Sequence, residues 1–154
     1  MVSLKRIFAA LGAAVIVAAG GVVSAHDGAT GVVKERMDLM KSMGGSMKAL
    51  KDLISAPADT LDRAAIGREA DNVETLSRDL AAKFPEGSMQ PSSEASLKIW
   101  MQWDQFNDAA RDLTAAAERL TQAAETGDRT ALRTGFAGVG QACGGCHRAF
   151  REKK

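Results

Sequence analysis

The chain has 154 residues, with 20 Lys and Arg against 19 Asp and Glu and a formal net charge of +1. That balance offers no basic field for nucleic acid or for an anionic membrane surface, and the length suits one domain with a single core. Both cysteines fall in one motif near the end of the sequence, so no disulfide framework is expected.

Residues 1–25 read as a secretory signal. Lys5 and Arg6 give a positive start, Ile7 to Val23 is almost uninterrupted apolar and small, and Val23-Ser24-Ala25 puts small residues where a signal peptidase reads. Cleavage is expected between Ala25 and His26. It leaves residues 26–154 as a periplasmic domain without a stable membrane anchor. The competing reading is an uncleaved anchor, because the apolar run approaches spanning length.

The first helix is predicted from about Thr30 to Ile54. Val33, Met37, Met40, Gly44 and Met47 recur at alternating spacings of four and three, which marks one buried stripe. Pro57 ends the segment. Asp59 or Thr60 caps a second helix running to about Phe84, with Ile66, Ala70, Val73, Leu76, Leu80 and Phe84 inward. Pro85-Glu86-Gly87-Ser88 and Pro91-Ser92-Ser93 form the longest irregular connection.

A third helix is expected from near Ser93 to about Glu125. Trp103, Phe106, Ala110, Leu113, Ala117, Leu120 and Ala124 keep the alternation of a bundle seam. Thr126-Gly127-Asp128 then stops one helix and starts the next, with Gly127 suited to a left-handed cap and Asp128 to an N-cap. The fourth helix carries Leu132, Phe136, Val139, Cys143, Cys146 and Phe150 on its stripe. Gly135, Gly138 and Gly140 each weaken that helix by about 1 kcal/mol relative to Ala. Close approach of a neighbouring helix or a bound group is one reason for them, and simple tolerance is another. No stretch alternates with a period of two. The expected fold is therefore all-α, an antiparallel up-down-up-down four-helix bundle.

The fourth helix ends in Cys143-Gly144-Gly145-Cys146-His147. Two thiols three positions apart project from one helical face and can each reach a vinyl group of one porphyrin. His147 follows one turn after Cys143, placed to offer its imidazole to the iron as proximal ligand. The reading is one covalently attached haem c per chain. A bare CxxC also occurs in redox-active dithiols and in half of a zinc site. The only other histidine, His26, is far away in sequence, and no βαβ pattern surrounds the motif. A haem-free thiol redox or metal-binding module is thus the alternative of another class.

A haem motif closing an exported four-helix chain resembles the class II c-type cytochromes, the cytochrome c′ family, including its low-spin methionine-ligated relatives. The resemblance spans the mature chain. It rests on Val33-Lys34-Glu35-Arg36 leading to Met40, on Phe84-Pro85-Glu86-Gly87-Ser88, on Ile99-Trp100 with Phe106, and on Gly140 through Phe150 around the motif. It implies a covalently bound haem inside the bundle, Arg36 near a haem propionate, and Met40 facing the iron on the distal side. It also allows a homodimer through the first two helices.

Arg36 and Met40 are one helical turn apart, so both can reach one bound group. A solvated charge or an ion pair is the other reading of Arg36, and adaptable core filling is the other reading of Met40. With Met40 on the iron, the site is six-coordinate, low-spin and suited to one-electron transfer. With Met40 only packed over the haem, the iron is five-coordinate, and its crowded pocket admits small neutral diatomics such as nitric oxide or carbon monoxide.

No catalytic constellation stands out, so a carrier is expected in preference to an enzyme. Arg148, Arg151, Lys153 and Lys154 make the final turns basic. That charge either complements the helix dipole or steers an acidic redox partner.

Overall fold

The structure, a computed structural model, describes residues 28–152. The signal segment expected over residues 1–25 lies outside the described residues, as do Lys153 and Lys154. The elements are α1 (Gly31–Ser55), α2 (Arg63–Arg78), the single turn α3 (Lys98–Met101), α4 (Trp103–Thr126) and α5 (Arg129–Phe150). Short 3₁₀ turns lie at Ala58–Thr60 and Ala81–Lys83. The four long helices form the expected antiparallel bundle, with α2 packed on α1 and α4, and α4 on α5. Of the neighbouring pairs of long helices, α1 and α5 touch least.

α1 buries Val33, Arg36, Leu39, Met43, Ser46, Leu50 and Ile54. Apart from Val33, this is the row beside the predicted one: Met37, Met40 and Met47 are half-buried and Gly44 is exposed. One residue is a rotation of roughly 100°. Hydrophobicity alone selects the methionine row, because the true core row contains Arg36 and Ser46. Both polar groups are hydrogen-bonded where they lie, Ser46 Oγ accepting from Asn72 Nδ2 at 2.8 Å. Satisfied partners make such burial tolerable.

α2 starts later and ends earlier than expected. Its N-cap is Asp62, whose carboxylate accepts from Ala65 N at 2.9 Å, whereas Asp59 and Thr60 belong to the preceding 3₁₀ turn. The helix stops at Arg78, and a 3₁₀ turn brings Leu80 and Phe84 inward. Pro85 disfavours helical geometry at Phe84, which sits at φ −123° and ψ 51°. Leu76, expected inward, is half-buried beside buried Ser77.

The helix expected from Ser93 is a correction. Residues 93–97 are not helical: Ala95 pairs with Arg151 in an isolated antiparallel bridge, with Ser96 N donating to Phe150 O at 2.9 Å and Glu152 N to Glu94 O at 2.8 Å. The two serines fold the chain locally instead of starting a long helix. Ser93 Oγ accepts from Ala95 N at 3.1 Å, and Ser96 Oγ from Lys98 N at 3.3 Å. α3 then breaks from α4 at Gln102, φ −127° and ψ 46°. Trp103, assigned to the seam, is 39% exposed and stacks on buried Phe106 with ring centroids 5.6 Å apart.

The α4–α5 junction is as expected. Gly127 adopts φ 70°, and Asp128 accepts from Thr130 N at 2.7 Å and Ala131 N at 2.9 Å. At the same end Arg129 Nη2 donates to Ile54 O and Ala56 O at 3.2 and 2.8 Å, closing the α1 C-terminus. Of the three α5 glycines, Gly135 alone has a close neighbour. A Cβ there would meet Leu120 Cα at 2.9 Å, so α5 touches the α4 backbone at this point. Gly138 and Gly140 have nothing within 4 Å.

This contrast predicts opposite effects of one chemical change. Gly135→Ala is expected to force α4 and α5 apart and lose about 1–3 kcal/mol. Gly140→Ala, at an exposed helical position, is expected to gain up to about 1 kcal/mol. Urea unfolding of the haem-loaded protein measures both, and equal effects of the two changes would contradict the packing.

Candidate haem-binding site

The site is built on the last two turns of α5. Cys143 and Cys146 are half-buried against the core. Burial pushes both thiols above their ordinary range, and the nearness of Cys143 adds to the effect at Cys146. The thiols are therefore protonated at neutral pH, unlike the depressed thiolates of a redox-active dithiol. Among the described residues, no group of three or more His, Cys, Asp or Glu is placed to hold a metal ion. His147 is held below its ordinary value, first by burial and then by Arg151, with Glu94 acting the other way. Its imidazole is neutral, the form that ligates iron.

A cavity of about 700 Å³ opens beside these residues. Cofactor pockets typically enclose roughly 300–1,000 Å³. Met37 and Met40 of α1 line it, as do Cys146 and His147 of α5, and Phe106 and Phe150 supply apolar wall. It thus lies between α1 and α5, the neighbouring pair that touches least. Cys143 does not line it and sits one turn earlier on α5. Phe106 anchors the wall, with its ring centroid 4.8 Å from Phe84 and 5.4 Å from Phe150 in edge-on contacts. Full burial of one such ring is worth about 1.5–3 kcal/mol.

Arg36 also lines the cavity, and it is only 3% exposed. Its Nε and Nη2 donate to Lys83 O at 3.0 and 2.9 Å, Nη2 to Ser88 Oγ at 2.7 Å, and Nη1 to Ser93 Oγ at 3.4 Å. The guanidinium lies 3.9 Å above the Phe84 ring, a cation–π contact. Burial pulls its pKa below the ordinary value. No carboxylate among the described residues forms an ion pair with it. A buried cation on oxygens alone, facing a cavity, fits a ligand that brings its own negative charge. A haem, with its two carboxylates, is such a ligand.

Sequence reasoning missed the connection that walls the site. Glu94 lines the cavity and pairs with Arg151 at 2.5 Å, while Ser96 Oγ donates to Glu152 Oε1 at 2.8 Å. These contacts join residues almost sixty positions apart, and no local pattern announces them. They also revise the basic final turns, since Arg151 is paired within the chain. Arg148 lies against Gly144, where an added Cβ would come within 3.2 Å of its Nη1.

Comparison with known proteins places this geometry. The family described as cytochrome c′ matches residues 31–151. A cytochrome c′ of Pararhodospirillum photometricum is 33% identical over 121 residues, covering 78% of this chain and 95% of the relative. A cytochrome c-556 of Agrobacterium fabrum is 33% identical over 126 residues, covering 82% and 84%. Among solved structures, a nitric oxide complex of a variant cytochrome c prime from Alcaligenes xylosoxidans superposes with a TM-score of 0.73 at 29% identity, covering 80% of this chain and 94% of that one. The cytochrome c′ of Thermochromatium tepidum has the same fold, with a TM-score of 0.73 at 24% identity, covering 79% and 95%. With Cys146 and His147 on the wall of a cofactor-sized cavity, these matches settle the family: the chain belongs to the cytochromes c′, class II c-type cytochromes that hold haem c covalently.

Proposed function

We propose that this chain is an exported one-electron carrier whose haem iron is held by His147 on one side and Met40 on the other. One observation carries the reading: Met40 and His147 line the same cavity from the two helices that flank it. When bound, haem c would supply a one-electron Fe(II)/Fe(III) couple.

The residues divide the work. Cys143 and Cys146 tether the cofactor from α5, and His147 offers a neutral nitrogen. Arg36 receives a haem carboxylate while keeping the Lys83–Ser93 connection in place. The apolar wall of Phe106 and Phe150 limits water, which keeps the charge change on oxidation small in its effect on the surroundings. Met40 offers a thioether, a ligand that favours the reduced iron and raises the potential.

A second reading has its own support, because a structural relative is known as a nitric oxide complex. In that reading Met40 only crowds the distal side, and the protein binds nitric oxide or carbon monoxide. Removal of residues 1–25 and residence in the periplasm belong to both readings. None of the described helices is long and apolar enough to cross a membrane. The electron partner is proposed to be another envelope protein, and a homodimer through α1 and α2 fits either reading.

Optical spectra separate the two. The His/Met reading expects sharp α and β bands on reduction and a weak thioether-to-iron band on oxidation. Met40→Ala then loses that band, turns high-spin, binds carbon monoxide and falls in midpoint potential by on the order of 0.1 V, within the roughly 0.8 V that axial ligands span. A parent spectrum that is already broad and shifts with carbon monoxide establishes the gas-binding reading instead.

The mass of the exported protein tests the ends of the argument together. The expected species begins at His26 and carries the mass of one haem. Cys143→Ser together with Cys146→Ser is expected to abolish the covalent increment, leaving any bound haem extractable by acid and organic solvent. A parent protein that loses its haem to the same extraction would contradict covalent attachment.

A further inference from the structure

We propose that the Ser92 hydroxyl is a binding residue for the cofactor, donating a hydrogen bond to a haem carboxylate beside Arg36. The inference rests on the reading that the cavity between α1 and α5 houses haem.

Ser92 lines that cavity. Its Oγ is sealed from solvent, yet has no hydrogen-bond partner among the described residues. Two other buried side-chain atoms share that condition, Thr121 Oγ1 and Arg129 Nη1, and neither belongs to a residue of the cavity wall. The neighbouring serine is differently employed. Ser93 Oγ accepts from Ala95 N at 3.1 Å and from Arg36 Nη1 at 3.4 Å, so it holds the turn and the arginine. Ser92 is the hydroxyl left facing inward.

Its position is fixed from both sides. Ser93 N donates to Gln90 O at 2.9 Å, and the Gln90 side chain exchanges hydrogen bonds of 3.2 and 3.3 Å with the Thr30 backbone at the start of α1. Three residues beyond Ser93, Ser96 N donates to Phe150 O at 2.9 Å. A hydroxyl oxygen sealed from solvent and without a protein partner has the cavity that it lines as the source of its hydrogen bond.

The partner's chemistry follows from the wall. Besides Ser92 the wall offers the Ile99, Phe106 and Phe150 side chains, the Arg36 cation and a Glu94 carboxylate already paired with Arg151. Arg36 has donors only, and the hydroxyl carries an unused proton. One group answers both, an anionic acceptor with two oxygens. A carboxylate accepts from the hydroxyl through one lone pair and balances the guanidinium with its charge. No step of bond-making is involved. The serine orients the carboxylate and withdraws part of its negative charge from the iron.

The test uses the haem-loaded protein with Ser92→Ala and Ser92→Thr, read by resonance Raman spectroscopy and potentiometry. Ser92→Ala is expected to shift the haem carboxylate bending band. It is also expected to lower the Fe(II)/Fe(III) ratio at a fixed ambient potential by roughly two- to fivefold, the scale of one hydrogen bond's net worth. Ser92→Thr keeps a hydroxyl and is expected to restore both readings. An unchanged band and ratio in Ser92→Ala overturn the proposal. So does a change confined to the spin-state marker bands, which would assign the hydroxyl to the ligands of the iron and not to the carboxylate. A parent protein without a Soret band removes the haem reading itself and the proposal with it, and this is seen before any variant is made.

Discussion

A guanidinium buried without a carboxylate organises this molecule. Arg36 occupies a core position of α1, and its environment is three oxygen-bearing residues and the face of Phe84. Desolvating such a charge is costly, and only several well-placed acceptors in a low-dielectric setting offset the cost. Because those acceptors are on residues 83, 88 and 93, the cation ties one turn of α1 to the whole first half of the connection between α2 and α4. The connection is therefore a wall of the bundle and not a free loop. Trp100 strengthens the same corner, donating from Nε1 to Phe84 O at 3.1 Å and Pro85 O at 3.0 Å.

The second half of the connection is fixed by the helix that carries the haem motif. The backbone pairing of Glu94 and Ser96 with Glu152 and Phe150 begins three residues after His147. Thus one end of the segment answers to α1 and the other to α5, the neighbouring pair that touches least. The cavity lies between those helices and behind that segment. Its dimensions follow from backbone hydrogen bonds and one buried ion as much as from side-chain packing. Rigid walls of this kind hold a cofactor in one orientation, which is what a protein contributes when the cofactor carries the chemistry.

The haem motif and the Gly127-Asp128 junction were legible in the sequence because each is a local rule. Two thiols and an imidazole within five residues need only helical geometry to converge, and a left-handed glycine before an aspartate needs only capping chemistry. The errors lie where distant parts of the chain decide. Ser93 looks like a helix start until residues 150–152 supply an edge for residues 94–96 to pair with. Arg36 could be read from the sequence as a contact to a bound group or as a solvated charge, and its burial becomes visible only when Lys83 O and the two serines are brought to it. Trp103 fits the seven-residue spacing yet lies at the rim, because the break at Gln102 restarts the helix there. Glu94 carries no sequence signal at all. Its importance is created by Arg151.

The one-residue error in α1 bears on the iron. Helix α1 has four methionines, at positions 37, 40, 43 and 47. The row that forms the core takes Met43, which is 5% exposed and enclosed by apolar neighbours. Met37 and Met40, off that row, are the two that line the cavity. Had the predicted stripe been the core stripe, Met40 would be packing material and its sulfur would have no way to a cofactor. Displacement toward the cavity frees it from that role. Of the two candidates, Met40 is the one a full turn beyond Arg36, and residues at that spacing reach a common ligand. A thioether on three rotatable bonds adapts its reach at little cost. The choice between iron ligand and distal cover therefore turns on how closely the Met40 sulfur would approach a bound haem, within a wall that Arg36 and the connection have already fixed.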